Sequence, residues 1–350
     1  MINNEFYSKA VHGEFELFAL GDFKLEGGSQ LRNCRLAYTT MGELNGKKDN
    51  AILFPHMYSG SSMHMKSMYV APGLAIDPTK YFVILPNMLG AGLSTSPHNS
   101  LPPYNDGAFP NTSIGDDVIV QHRLVTEKFG ISSLQLVLGW SMGAQQTYEW
   151  AVRYPEMVKR IAPIAGTARC TPHDALFTHV AADAITADPA WQEGFYTSGG
   201  AVHRGLRRHA RVFAMMGLCS QFYKEEAWRA AGCSSLEDFL TGFWENWFLP
   251  MDPNNLLSLL SKWRRGDVSS LTGGKLEDAL GRITAKTCVI AFAEDMFIPV
   301  RDCRAEQAMI KNSELKVVSS LWGHFSMLGV LPDDKKQIND ALGKLLAADV

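Results

Sequence analysis

The sequence lacks the features that mark several specialised classes of protein. No stretch approaches the roughly 20 apolar residues of a membrane-spanning helix, and no apolar run follows a basic start as in a secretory signal. Charge of one sign is not in excess, since 33 Lys and Arg against 36 Asp and Glu give a formal net charge of -3. Nucleic-acid binding needs a concentrated basic surface. We therefore expect a soluble cytoplasmic protein with no membrane and no nucleic-acid partner.

Spacings typical of metal sites are missing as well. The six cysteines are scattered with no C-x-x-C pair, and no H-E-x-x-H occurs. No metal is therefore expected. Irregular cysteines in a chain of this size are typical of a reducing compartment, where most are small buried apolar residues. The one basic cluster, at residues 204–211, is typical of a solvated helix face.

Short apolar runs alternate with helical patterns over much of the chain. With 46% hydrophobic residues among 350, the chain can bury a large core. Residues 15–45 alternate apolar and polar, which predicts antiparallel strands. Runs apolar on both faces predict buried parallel strands at residues 51–55, 81–85, 134–138, 161–165, 287–293 and 315–319. Helices expected at 114–129 and 142–153 lie between them, so we predict an α/β fold with a mostly parallel sheet flanked by helices.

The alternation stops between residues 169 and 282. This segment is rich in Trp, Phe, Met and Arg, and helices are expected at 181–187, 204–216, 236–247 and 254–262. We interpret it as a helical cap, called here the cap segment, inserted into an α/β core of residues 1–168 and 283–350. A last helix is expected near 335–347. Aromatic residues at helical spacing favour packing inside the cap segment over the alternative of substrate binding, at Trp228, Phe239, Phe243, Trp244, Trp247 and Phe248.

One pentapeptide matches a sequence pattern that is typical of nucleophilic serines. The strand expected at 134–138 leads into Gly139-Trp140-Ser141-Met142-Gly143, which is G-x-S-x-G, and a helix is expected directly afterwards. The string alone arises by chance in roughly one such chain in five or ten. Its strand–turn–helix context is more specific, since it strains the serine backbone and exposes the serine oxygen above the sheet. The alternative is a βα turn with an incidental serine. We expect Ser141 to form an acyl-serine intermediate.

A serine hydroxyl is a poor nucleophile until a base removes its proton, so a carboxylate and a histidine should follow Ser141 in that chain order. Asp295 follows the strand expected at 287–293, and His324 lies in the loop after the strand at 315–319. Catalytic groups collect at this edge of open α/β sheets. Glu294 is the competing acid. The order predicts a triad of Ser141, Asp295 and His324.

The negative charge that develops on a substrate carbonyl oxygen needs preorganised donors. One donor should be the backbone N–H of Met142, directly after the nucleophile. The second should come from the loop at residues 54–60, from the N–H of Tyr58 or alternatively of Met57. Trp140 and Phe325 flank the catalytic residues and are expected to shape an apolar substrate pocket, together with Met57.

The chain resembles the homoserine O-acetyltransferase family of α/β-hydrolase proteins along nearly its whole length. The matching stretches are residues 56–60, 73–77, 81–84, 87–90, 139–143, 149–151 and 154–155, with 188–191 and 194–196 in the cap segment. The resemblance implies that the Ser, Asp and His of the family correspond to Ser141, Asp295 and His324. It also implies a deep active-site tunnel and a homodimer, which would form through the cap segment.

The departures from this family concern amino-acid recognition. In the family an Asp after the catalytic His holds the amino group of homoserine, and here that residue is Phe325. The family's arginine for the carboxylate matches Ala182. A zwitterion with both charges unpaired would cost several kcal/mol. Tyr196 is kept and is expected to line the pocket. Homoserine is therefore not the expected acceptor.

These observations favour a carboxylic-ester hydrolase that acts on a small ester of a non-amino-acid alcohol and needs no cofactor. The alternative is an acetyl-CoA-dependent O-acetyltransferase with an alcohol acceptor other than homoserine, for which acetyl-CoA is the co-substrate. A non-catalytic binding protein on the same fold would be expected to have a broken triad. All three predicted triad residues are present.

Overall fold

The computed structural model describes residues 4–350, so the first three residues of the predicted core lie outside the described residues. Its strands are β1 (Glu16–Lys24), β2 (Gln30–Met41), β3 (Ala51–Leu53), β4 (Phe82–Pro86), β5 (Leu136–Trp140), β6 (Arg160–Ile164), β7 (Lys286–Phe292) and β8 (Ser313–Val318). They form an eight-stranded sheet in the order β1-β2-β4-β3-β5-β6-β7-β8. β2 pairs antiparallel with β1 and β4, and the pairs from β4 through β8 are parallel. The predicted fold class is confirmed.

The buried strands explain why the apolar runs located them so closely. Every residue of β4, β5 and β6 is buried. Side chains alternate between the faces of a strand, so a strand covered on both faces is apolar throughout. In β5, Val137 packs into an apolar cluster on one face, while Leu136 and Leu138 pack into another.

Helices flank the sheet and begin at recognisable signals. They are α1 (Lys9–His12), α2 (Ser62–Tyr69), α3 (Ile114–Arg123), α4 (Met142–Arg153), α5 (Pro172–Thr186), α6 (His203–Gly217), α7 (Ser220–Lys224), α8 (Leu236–Asp238), α9 (Asn246–Phe248), α10 (Pro253–Arg264), α11 (Leu276–Leu280), α12 (Val300–Gln307) and α13 (Pro332–Ala347). Ser113 starts α3 with a capping box to Asp116, and Pro155 follows the end of α4.

Helices α5 to α11 occupy the chain between β6 and β7, and no strand of the sheet occurs in this fully described stretch. Arg169 and Asp267, near its two ends, pair as an isolated antiparallel bridge. The exact core and cap boundaries stay a prediction. Two predicted helices are wrong in detail, because each changes to a π-helix, at Leu124–Lys128 and Phe239–Glu245. A short π-helical stretch has no spacing of apolar residues that distinguishes it from an α-helix, so it could not be predicted from the sequence.

Among residues 4–350, no helix is both long and apolar enough to cross a membrane. The same residues contain no group of three or more His, Cys, Asp or Glu side chains that could hold a metal ion.

Candidate active site

Ser141 lies at the turn between β5 and α4, in a backbone conformation that few residues adopt. Its φ is 59° and its ψ is -119°, outside the regions that are comfortable for a residue with a Cβ. Glycine is needed on both sides of it. A Cβ on Gly139 would collide with the carbonyl of Gly143, and a Cβ on Gly143 would lie 2.8 Å from the carbonyl oxygen of Pro55. The strained turn that the G-x-S-x-G pattern predicts is therefore present.

The three predicted triad residues lie together in one chain of hydrogen bonds. His324 Nε2 lies 3.0 Å from Ser141 Oγ, and His324 Nδ1 lies 2.7 Å from Asp295 Oδ2. A carboxylate accepts, so Nδ1 carries the proton and Nε2 offers a lone pair to the serine hydroxyl. This is the arrangement that a general base for a serine nucleophile requires.

Asp295 is held in place by the start of the loop after β7. Its Oδ1 accepts from the backbone N–H groups of Phe297 and Ile298, both at 2.9 Å. Its side chain is 0% exposed and that of His324 is 5% exposed, so neither exchanges its partners with bulk water. Glu294, the competing acid, is partly exposed and lies outside this chain of hydrogen bonds.

The backbone N–H groups predicted for the oxyanion hole are free to donate. Among residues 4–350, neither Met142 nor Tyr58 uses its N–H in a hydrogen bond. Gly143 brings the start of α4 against the loop at residues 54–60, so both donors belong to neighbouring segments. The N–H of Met57 is likewise unpaired, and the choice of Tyr58 over Met57 stays a prediction.

His56 fixes the start of this loop from the core. Its Nδ1 lies 2.7 Å from the carbonyl oxygen of Met57, and its Nε2 accepts from the N–H of Met88 at 2.9 Å. Burial lowers the pKa of His56 to about 3, so the ring stays neutral and keeps both partners. His56 therefore shapes the loop.

An apolar cavity opens at Ser141 and His324. Three of the four predicted pocket residues line it, namely Met57, Trp140 and Phe325, together with Tyr58 of the predicted oxyanion hole. The remaining walls are mainly aromatic side chains of the cap segment, at Phe213, Phe243, Trp244, Trp247, Phe248 and Trp263. Four of the six cap-segment aromatic residues for which packing was favoured therefore face the cavity, whereas Trp228 and Phe239 do not.

The cavity is small and contains little charge. The space open to the centres of water-sized molecules is about 30 Å³, and one water needs about 10–15 Å³ by that measure. No Asp, Glu, Lys or Arg is among the described residues that line it. Burial raises the pKa of Tyr58 well above its usual range, so this phenol stays protonated. Such a cavity suits a small neutral group.

Tyr196 is not among the residues lining this cavity, although the resemblance placed it in the pocket. Its hydroxyl donates to Asp252 Oδ1 at 2.7 Å and accepts from the backbone N–H of Asn254 at 3.2 Å. These contacts tie residues before α6 to the start of α10, and they occupy the hydroxyl. Tyr196 therefore holds the cap segment together instead of facing the cavity.

Four further residues line the cavity that were not predicted from the sequence: Ser59, Phe213, Trp263 and Leu328. Phe213 follows Leu206 and Ala210 on the buried face of α6, and this spacing is the signal that a helix face turns inward. The spacing does not indicate which part of the molecule that helix face packs against. Nothing in the sequence around Ser59 or Leu328 indicates that either residue lines the cavity.

A second buried carboxyl lies near the triad. Asp174, in the first turn of α5, accepts from the Thr171 hydroxyl through Oδ2 at 3.1 Å, while its Oδ1 has no partner among the described residues. Burial raises its pKa to about 7, the Thr171 hydrogen bond lowers it, and the charge of Asp295 raises it further. Asp174 is therefore largely protonated below neutral pH.

Comparison with known proteins identifies the fold family. A model of the alpha/beta hydrolase fold family matches residues 50–329. The chain is 49% identical over 345 residues to an ethyl acetate hydrolase of Pseudomonas veronii, with 99% of each chain covered. It matches the crystal structure of an acetylester hydrolase from Corynebacterium glutamicum at 47% identity and a TM-score of 0.98, covering 99% of this chain and 100% of that one.

A more distant similarity confirms the resemblance found in the sequence. A homoserine O-acetyltransferase of Clavibacter michiganensis subsp. michiganensis is 32% identical over 368 residues, which covers 95% of this chain and 91% of that protein.

Proposed function

The chain belongs to the α/β-hydrolase fold family, and from this premise we propose that it is a serine carboxylic-ester hydrolase acting on short-chain esters, acetates above all. The observation that carries the proposal is the hydrogen-bonded chain from Ser141 through His324 to Asp295 at an apolar cavity. Both the geometry and the names of the relatives at 47–49% identity support it.

The proposed reaction has two half-reactions, and the same groups serve in both. Ser141 Oγ attacks the ester carbonyl carbon while His324 Nε2 takes the hydroxyl proton, and the N–H groups of Met142 and Tyr58 bind the oxyanion. The C–O bond to the alcohol breaks, and His324 gives its proton to the leaving alcohol. Water then attacks the acyl carbon while His324 Nε2 takes one of its protons. The bond from this carbon to Ser141 Oγ breaks, His324 returns the proton to Oγ, and the carboxylic acid leaves. Asp295 keeps His324 in the tautomer that this requires.

The size of the cavity supports a short acyl group. Space for two or three water molecules accommodates a group of a few heavy atoms, whereas a long acyl chain would have to displace the aromatic walls. The relative from Pseudomonas veronii is named an ethyl acetate hydrolase, and the structural match is named an acetylester hydrolase. We therefore place acetate esters of small alcohols first among the substrates.

The absence of charge from the cavity lining argues against an amino-acid acceptor. Phe325 lines the cavity where the related acetyltransferases have a carboxylate, and Ala182 packs among apolar residues of the cap segment. A bound homoserine would have to bury both of its charges without partners, which costs several kcal/mol.

Acetyl transfer from acetyl-CoA to another alcohol is the second candidate, favoured by the 32% identity to a homoserine O-acetyltransferase. It uses the same acetyl-serine, and only the acceptor differs. In that reaction acetyl-CoA is a co-substrate and is not a bound cofactor. A hydrolase transfers the acetyl group to water, whereas an acetyltransferase requires an alcohol, so an assay can separate the two candidates.

The experiment measures acetate release from ethyl acetate and p-nitrophenyl acetate by the purified protein, with and without added alcohols. Acetyl-CoA is tested in parallel by the appearance of free CoA. We expect release that needs only water and disappears in Ser141→Ala. Ser61→Ala is the matched control, because Ser61 contacts His12 and His64 at 3.1 and 3.0 Å outside this cavity. Acetyl-CoA turnover that depends on an alcohol would overturn the hydrolase proposal.

We extend the proposal to assembly and location. The packed helices α5 and α6 expose Leu176 (63%), Val180 (45%) and Met215 (63%). Exposed apolar side chains grouped on one part of a surface are typical of an interface, which supports a homodimer formed through the cap segment. The six cysteines are free, which supports a reducing compartment, the cytoplasm, as the location.

A further inference from the structure

Two cap-segment side chains reach the loop that carries the proposed oxyanion donor. The hydroxyl of Tyr58 lies 3.0 Å from Nε2 of His209 on α6. The indole Nε1–H of Trp247 on α9 donates to Ser59 Oγ at 3.0 Å. We call these two hydrogen bonds the cap–loop contacts. They join consecutive loop residues to two separate helices.

The direction of the first contact follows from the other side of the histidine ring. His209 Nδ1 lies 2.8 Å from the carbonyl oxygen of Ala181 on α5, and a carbonyl can only accept. Nδ1 therefore carries the proton, and Nε2 accepts from the Tyr58 hydroxyl. Burial lowers the pKa of His209 to about 4, so the ring stays neutral and this direction holds at neutral pH.

The loop needs these contacts because its own backbone is strained. Ser59 has a φ of 55°, in the left-handed region that a serine rarely adopts. His56 ties the start of the loop to the core. Within residues 4–350, the side chains of Tyr58 and Ser59 form hydrogen bonds only to the cap segment. The Tyr58 ring also stacks on Phe213 of α6, with centroids 5.1 Å apart and planes within 5°.

We propose that His209 and Trp247 are positioning residues for ester hydrolysis, which hold the backbone N–H of Tyr58 at the oxyanion through the side chains of Tyr58 and Ser59. This inference rests on the proposed function. Neither residue acts on the reacting atoms through its hydrogen bond to the loop. Their contribution appears only when charge develops on the carbonyl oxygen, so it belongs to the transition state and not to substrate binding.

Tyr58→Phe and Trp247→Phe each remove one cap–loop contact while keeping an aromatic ring in place. Loss of a whole oxyanion donor costs about 10²–10³ in kcat, so a displaced donor should cost roughly 10-fold, with KM nearly unchanged. For His209, Gln keeps a side-chain acceptor and Leu does not. We therefore expect His209→Gln to retain more kcat than His209→Leu.

A second readout separates positioning from a general structural effect. The thiono analogue of the ester places sulfur, a weak hydrogen-bond acceptor, where the oxyanion would form. Wild type should strongly prefer the oxygen ester, and each contact-breaking variant should lose part of that preference. Tyr223→Phe and Trp228→Phe are the matched controls, since both are buried or half-buried in the cap segment and neither lines the cavity. Melting temperatures confirm that each variant is folded.

A lower kcat with the thiono preference reduced, in the contact-breaking variants and not in the controls, supports the inference. Wild-type kcat in folded Tyr58→Phe and Trp247→Phe overturns it while leaving the hydrolase proposal intact. A loss shown equally by Tyr223→Phe and Trp228→Phe also overturns it, because the effect would then be one of cap packing. A wild-type protein that hydrolyses no ester overturns the proposed function, and this inference with it.

Discussion

Phe325 packs edge to face against Trp244 of the cap segment, with ring centroids 4.8 Å apart and planes at 87°. Its ring also lies close to Gly217 of α6, where a Cβ would collide with it. Phe325 directly follows His324, so this aromatic contact places an apolar wall beside the catalytic base. Both rings line the cavity.

Shortening Phe325 should therefore change which acyl groups fit. Phe325→Ala opens space beside Trp244, and one added methylene in an apolar pocket is worth about 10-fold or more in specificity. We expect kcat/KM for p-nitrophenyl butyrate to rise by about that factor relative to the acetate. Phe239→Leu is the control, as Phe239 is buried in the cap segment and does not line the cavity. An unchanged ratio in Phe325→Ala would show that Phe325 does not limit chain length.

Two adjacent acids provide a matched test of the orienting carboxylate. Asp295 contacts His324 Nδ1 and accepts two backbone N–H groups, whereas Glu294 does neither. Asp295→Asn no longer holds His324 in the tautomer that can accept the serine proton, so it should lower kcat by about 10⁴. Glu294→Gln should keep wild-type kcat. The measurement is p-nitrophenyl acetate hydrolysis, and the assignment fails if Glu294→Gln is the inactive variant.

Asp174 should make the protein less stable as the pH rises. Its pKa is raised to about 7 in the fold, mainly by burial, against about 3.9 in an unfolded chain. Between these values the unfolded chain has released the proton and the folded protein still holds it, so the free energy of unfolding falls with increasing pH. We expect a loss on the order of 3 kcal/mol between about pH 4 and pH 7.

Asp174→Asn should remove this loss, because an amide does not ionise and can still accept from Thr171 through its oxygen. Urea unfolding of wild type and variant across that pH range measures the difference. Asp183→Asn, on the exposed side of the same helix, is the control and should leave the wild-type pH dependence in place. The same slope in Asp174→Asn would rule out this carboxyl as the source.

The proposed dimer gives a prediction that is independent of catalysis. A charge placed at Leu176 or Met215 would have to be buried in a cap-to-cap interface, so Leu176→Glu and Met215→Glu should yield monomers. Sedimentation velocity measures the mass in solution. Leu101→Glu changes an equally exposed leucine outside the cap segment and should leave the dimer intact. A monomeric wild-type protein would contradict the proposal.

Most of the sheet could be predicted because burial on both faces removes polar residues from a strand. The expected strand at residues 161–165 is Arg160–Ile164 in the structure, and the helix predicted at 142–153 is Met142–Arg153. The triad could be predicted for a related reason. Chain order and strand ends together fix where Ser141, Asp295 and His324 must lie.

The cavity walls could not be predicted in the same way. The contact between Tyr58 and His209 joins residues 151 positions apart, and no local pattern encodes such a distance. Phe243 and Trp244 face the cavity from a π-helix, at Phe239–Glu245, which the α-helical period did not reveal. Tyr196 shows the converse, since family resemblance placed it in the pocket and the structure pairs it with Asp252.

Labelling with a fluorophosphonate tests most directly whether Ser141 is the activated nucleophile. The reagent phosphonylates a serine only where a base activates its hydroxyl and donors bind the phosphoryl oxygen. We predict one label per chain, located by peptide mass spectrometry on Ser141, with ester hydrolysis lost in proportion to labelling. Ser141→Ala should take up no label, and Ser61→Ala should label as wild type does. A folded wild-type protein that does not label, or that hydrolyses esters when fully labelled, would contradict the account.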